Sequence, residues 1–132
     1  MSFDVVTADL ESFDQAQEGK PYSSRAHIAE KDIERWSALI GEPRAALYDQ
    51  IAIYLARRFQ SSKLSFEFCD AIINDICGLI TSANEDRPDL FREVYLAFDE
   101  GEYYHEGRPD DDPVELYTRP LITRFLENRS SP

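Results

Sequence analysis

The chain has 132 residues with 26 acidic and 14 basic side chains, a formal net charge of −12. That length fits one domain able to bury roughly two thirds of the surface its unfolded form exposes. The charge excludes a phosphate-binding stripe and disfavours an anionic membrane surface, and no stretch approaches the roughly 20 apolar residues of a membrane span.

The opening MSFDVVTADLESFD carries acids where a signal peptide needs a basic region, and its apolar positions are scattered. A cytoplasmic protein is expected. Residues 1–22 have weak periodicity, with Val5, Val6, Leu10 and Phe13 ahead of the breaker Glu18-Gly19-Lys20-Pro21. They read as an N-terminal arm able to move independently, with a short helix that Thr7 could cap through about Ala16. Residues 23–128 read as a single α-helical domain.

From Ala29 the pattern sharpens. Ala29, Ile33, Trp36 and Ile40 fall at spacings of four, three and four, so one helical face is apolar, and Trp36 is read as core. Gly41 can take the left-handed conformation that closes a last turn. Pro43 suits the first turn of a second helix, whose buried face is Leu47, Ile51, Leu55 and Phe59, flanked by Tyr48 and Tyr54. Arg57 and Arg58 favour its negative pole.

Ser65 is the expected cap of a third helix, to Ser82, carrying Cys69, Ile72, Ile73, Ile76, Cys77 and Ile80. With Phe66, Phe68 and Leu79 added, it is apolar over most of its circumference, so it is predicted to be the central and most buried helix. Its length without a turn signal excludes a strand. Cys69 and Cys77 would lie about 12 Å apart along it, beyond the roughly 7 Å a disulfide spans, so both are read as free thiols of a reducing compartment.

Pro88 opens a fourth helix with Leu90, Phe91, Val94, Tyr95, Ala97 and Phe98, ended by Gly101. Asp112-Pro113 opens a fifth segment with Val114, Leu116, Tyr117, Leu121, Ile122, Phe125 and Leu126 as its apolar positions. Pro120 should kink or break it, with Thr118 capping the second half. The predicted fold class is all-α: an irregular bundle of about five helices with a kinked C-terminal helix.

Between these last two helices runs DEGEYYHEGRPDDDPVE, residues 99–115, with eight carboxylates against Arg108 alone. Acid alone would read as solubility. Acid interleaved with rings reads as a docking site for a basic protein, because the rings supply buried area and the carboxylates supply attraction and orientation. The candidate partner-binding residues are Asp99, Glu100, Glu102, Tyr103, Tyr104, His105, Asp110, Asp111 and Asp112. At least one of the two tyrosines should face solvent.

Other chemistry is not supported by the pattern. His27 and His105 lack partners at zinc spacing, and the calcium-loop pattern fails from both Asp99 and Asp110, so no metal or other cofactor is expected. Asp70 and Asn74, with Glu67 and Asp75, read as a solvated stripe of the third helix rather than an acid–base pair. No serine, threonine or cysteine has the setting of an activated nucleophile, and the five glycines are scattered, so no enzyme is expected.

The stretches EVYLAFDEGEYYHEG (93–107) and DDDPVELYTRPLI (110–122), about a quarter of the chain, resemble small acidic α-helical bacterial proteins of uncharacterised function. Some proteins of that kind serve as immunity proteins to secreted bacterial toxins. The resemblance implies a cytoplasmic binding protein that covers a basic nuclease or similar toxin. The alternative expectation is a self-associating regulatory or structural protein, a homodimer in which the apolar faces of the second and fifth helices continue across a two-fold axis.

Overall fold

Periodic apolar positions become helices throughout the computed structural model, which describes residues 3–17, 28–103 and 112–130. Among the described residues there are six α-helices and no strand: α1 (Asp4–Gln17), α2 (Glu30–Ile40), α3 (Arg44–Gln60), α4 (Phe66–Ser82), α5 (Asp89–Asp99) and α6 (Arg119–Ser130). A π-helical turn, Val114–Thr118, leads directly into α6. The protein is an all-α helical bundle.

Local chemistry sets most of the boundaries. Gly41 closes α2 at φ 70°, the left-handed region that a Cβ would penalise. Ser65 caps α4 by accepting the Phe68 N–H at 3.1 Å. The start of α2 is held by Asp32, which reaches back to accept the Ala29 N–H at 2.9 Å. At the start of α5 the position before the first turn is Pro88, which has no side-chain acceptor. Asp49 of α3 supplies one, accepting the Phe91 N–H at 2.9 Å.

The hub is α3 rather than α4. It packs against α2, α4, α5 and α6, and its Leu47, Ile51, Leu55 and Phe59 are buried as the periodicity requires. Tyr48, expected at the margin of that stripe, is fully buried, because its hydroxyl donates to Glu85 at 2.8 Å and so satisfies the one polar atom a buried tyrosine carries. Helix α4 packs chiefly on α3 and α5, and its broad apolar surface ends in the half-buried Phe66, Cys77 and Leu79. Composition therefore overstated its centrality.

One further expectation changes. Thr7 is not a cap: α1 begins at Asp4, and the Thr7 hydroxyl donates to the Asp4 carbonyl within the helix. Within the segment read as an arm, Val6 and Leu10 of α1 are fully buried, and Asp9 joins α1 to α2 by accepting from Trp36 Nε1 and Arg35 at 2.7 Å each. The kink of the C-terminal helix takes the form of the π turn. Arg119 donates five residues back to Val114, which widens the helix immediately before Pro120, where a regular turn would crowd the proline ring.

Candidate functional site

The site forms where α5 ends, because the chain there is pinned on two sides. Helix α5 ends at Asp99, two residues before Gly101 and close to where the sequence placed its stop, and Gly101 has no positive φ. Its glycine is required by space. A Cβ at Gly101 would overlap Thr118 Oγ1 and lie 2.9 Å from Phe66 Cε1. Thr118 in turn is not a cap. Its buried hydroxyl donates to the Ala97 carbonyl at 2.8 Å, satisfying one of the acceptors that the last turn of α5 leaves open. The π turn and the end of α5 are thereby held in contact over Phe66 and Phe98, whose rings lie 5.9 Å apart.

The pinned segment brings acids from two elements together. Asn74 Nδ2 donates to Glu102 Oε2 at 2.9 Å, joining α4 to the chain beyond α5. One turn earlier on α4, Asp70 also meets Glu102, with Asp99 nearby. Burial, then the hydrogen bond and charge of Glu102, then the charge of Asp99 push the Asp70 carboxyl up to about 8, outweighing the opposing bond from Asn74. Asp70 Oδ1 is buried with no hydrogen-bond partner among the described residues. The solvated stripe expected at Asp70 and Asn74 is therefore half sequestered, and Asp75 beside it accepts the Ile28 N–H at 3.1 Å. Burial, followed by the charges of Glu102 and Glu100, raises the Asp99 carboxyl as well.

The outer rim is aromatic and apolar. Tyr103 is 49% exposed, and its hydroxyl donates to Glu100 Oε2 at 3.1 Å, a bond that raises its pKa. Leu116, expected among the buried positions of the fifth segment, is instead 51% exposed. The wider π turn changes the angular step per residue and carries that side chain out of the register that a regular helix would give it. Asp112 is exposed, and its carboxylate accepts the Val114 N–H at 3.1 Å, so it starts the turn as well as adding charge. Glu115 is paired with Arg119, which also lies 4.4 Å over the Phe59 ring.

Of the nine residues read from the sequence, the structure brings Asp99, Glu100, Glu102 and Tyr103 into one cluster and places Asp112 at the start of the neighbouring π turn. Tyr104, His105, Asp110 and Asp111 lie outside the described residues. Asp99 and Glu100 are partly buried at the helix end rather than borne on a free loop. Sequence reasoning missed Asp70 and Leu116 as members. The signal for Asp70 was an acid on an otherwise apolar helix; for Leu116 it was the proline four residues later.

Chemically, the site offers carboxylates, a tyrosine hydroxyl already donating to one of them, and apolar area. The Thr118 hydroxyl is committed to Ala97. No group of three or more potential metal ligands occurs among the described residues, and none of their helices is long and apolar enough to cross a membrane. Comparison with protein-family models, with curated proteins and with solved structures finds no match.

Proposed function

We propose that this protein is a non-enzymatic binding module of the immunity or inhibitor kind, whose acidic surface at the end of α5 and the π turn covers a basic surface of a partner protein. One observation carries the reading: of the three large apolar side chains most exposed among the described residues, Tyr103 lies within the acidic segment 99–115 and Leu116 directly follows it. Exposed rings and leucines supply anchoring area, and surrounding carboxylates steer a cationic surface and suppress wrong partners. A toxin that acts on nucleic acid carries such a cationic cleft, which an acidic protein can occupy in place of phosphate.

The test is capture of partners from the native host at low and high salt, followed by binding kinetics on the purified partner. A basic partner whose association slows steeply with salt is expected. Replacing Glu100 and Glu102 by Gln and Asp112 by Asn should slow association, whereas Tyr103→Ala should speed dissociation, since loss of an interface anchor commonly costs about 2 kcal/mol or more. Partners that are uniformly neutral or acidic, or rates that ignore these substitutions, would remove the reading.

A further inference from the structure

Helix α5 is amphipathic. It turns Phe91, Val94, Ala97 and Phe98 into the core and Asp89, Arg92, Glu93 and Leu96 outward. The outward set recurs at helical spacing, so it forms one continuous face. A face meant only for water would carry charge throughout, yet Leu96 stands 45% exposed on it. Beside it, between α5 and α6, runs a groove of about 350 Å³ lined by Asp89, Leu90, Arg92, Glu93, Leu96 and Arg129.

The charges of this groove are balanced. Two acids and two arginines surround the leucines, giving a neutral patch on a chain whose net charge is −12. None of Asp89, Arg92 and Glu93 forms an ion pair with another described residue, whereas Arg35, Arg44, Arg58 and Arg119 are each paired within the chain. A second copy approaching most of this surface meets like charge. Here it meets none in net, and under a two-fold axis every contact occurs twice, so adjoining charges of opposite sign let an acid of each copy stand opposite an arginine of the other.

We infer that the outward face of α5 is a self-association surface whose occupant is a second copy of this chain, with the two α5 helices antiparallel and Leu96 of each set against the groove of the other. In that arrangement Arg92 of one copy faces Glu93 of the other, and the reverse pair forms by symmetry. The apolar faces of α3 and of the C-terminal helix, where a two-fold contact was expected from the sequence, are occupied inside the bundle: Leu47, Ile51, Leu55, Ile122 and Phe125 are all buried. The inference is independent of the basic partner proposed above, since it uses a different face.

Sedimentation velocity of the full chain across about 1 to 100 micromolar tests it, because a small interface should populate the dimer only toward the upper end. A dimer fraction that rises with concentration is expected. Leu96→Asp should weaken it about tenfold or more, Arg92→Glu should weaken it less, and the swap Arg92→Glu with Glu93→Arg should recover most of the loss. Far-ultraviolet circular dichroism and melting should be unchanged in all three variants, since every substituted side chain is exposed. A monomer across the whole range would overturn the inference. So would a dimer indifferent to Leu96→Asp, or a charge swap no better than Arg92→Glu alone.

Discussion

The two ends of the bundle treat their acids in opposite ways. Around α1, α2 and the start of α3, each carboxylate that joins helices meets a donor. Asp9 accepts from Trp36 and Arg35, while Glu30 and Glu85 converge on Arg44, with Tyr48 donating to Glu85. Where α5 ends, Asp70, Asp99 and Glu102 crowd one another, relieved by a hydrogen bond between Asp70 and Glu102 and by the amide of Asn74. Compensated charge fixes how helices sit. Crowded carboxylates oppose folding, and here the crowding holds the Asp70 carboxyl protonated to a higher pH than is usual.

The largest expected effect tests the frame both ends share. Ile76 of α4 is fully buried, and Ile76→Ala should destabilise by about 2 to 5 kcal/mol in chemical denaturation. A loss under about 1 kcal/mol would mean that α4 hardly contributes to the core. Next, Gly101→Ala should cost about 1 to 3 kcal/mol, because Thr118 and the Phe66 ring must both yield. Combining it with Thr118→Ser should not restore stability, since the hydroxyl that the new Cβ overlaps is retained; full recovery would show that the methyl group was the obstacle.

Smaller effects separate the ends by sign. Glu85→Ala removes the acceptor of the Tyr48 hydroxyl and should destabilise by about 1 to 2 kcal/mol. Removing an acid charge at the other end should do the reverse: Asp70→Asn is expected to raise the melting temperature by a few degrees at pH 8. The pH profile gives the reason. A carboxyl whose folded pKa is raised contributes stability that is full below its unfolded value and is lost as pH rises toward about 8, so Asp70 weakens the fold across that window and Asp70→Asn should flatten it.

Asp9 and Glu30 run the other way. Burial opposes the charge of Asp9, but the bonds from Trp36 and Arg35 outweigh it, and the bond from Arg44 holds Glu30 below the usual carboxylate range. Their stabilisation is present above the unfolded pKa and is lost on acidification. Thermal melts from pH 3 to 9 on the wild type, Asp70→Asn and Asp9→Asn should therefore show opposite slopes from the two ends. Parallel profiles would erase the distinction.

What the sequence disclosed follows the range over which each cause acts. The helices, the cap at Ser65 and the left-handed Gly41 depend on residues within a turn of one another, and these were legible. The roles of Gly101 and Thr118 depend on each other across the π turn: the stop at Gly101 was legible, but the contact that demands a glycine there was not, and the reading of Thr118 as a cap was overridden by its bond to Ala97. The candidate site was partly legible because acid and aromatic density is a local property. That Glu102 would meet Asp70 depends on how α4 packs beside α5, for which no spacing rule exists, and the exposure of Leu116 required knowing that the helix would widen before Pro120.

The meeting of Gly101 and Thr118 has a consequence for how this protein can change over evolutionary time. Gly101 and Thr118 meet although they are seventeen positions apart, so the two ends of the stretch between them are held by an anchor that does not depend on that stretch's own sequence. Lengthening a connection closed in this way is cheap, about 0.6 kcal/mol for each doubling. Residues between the two anchors can therefore be exchanged or extended while the six described helices stay as they are.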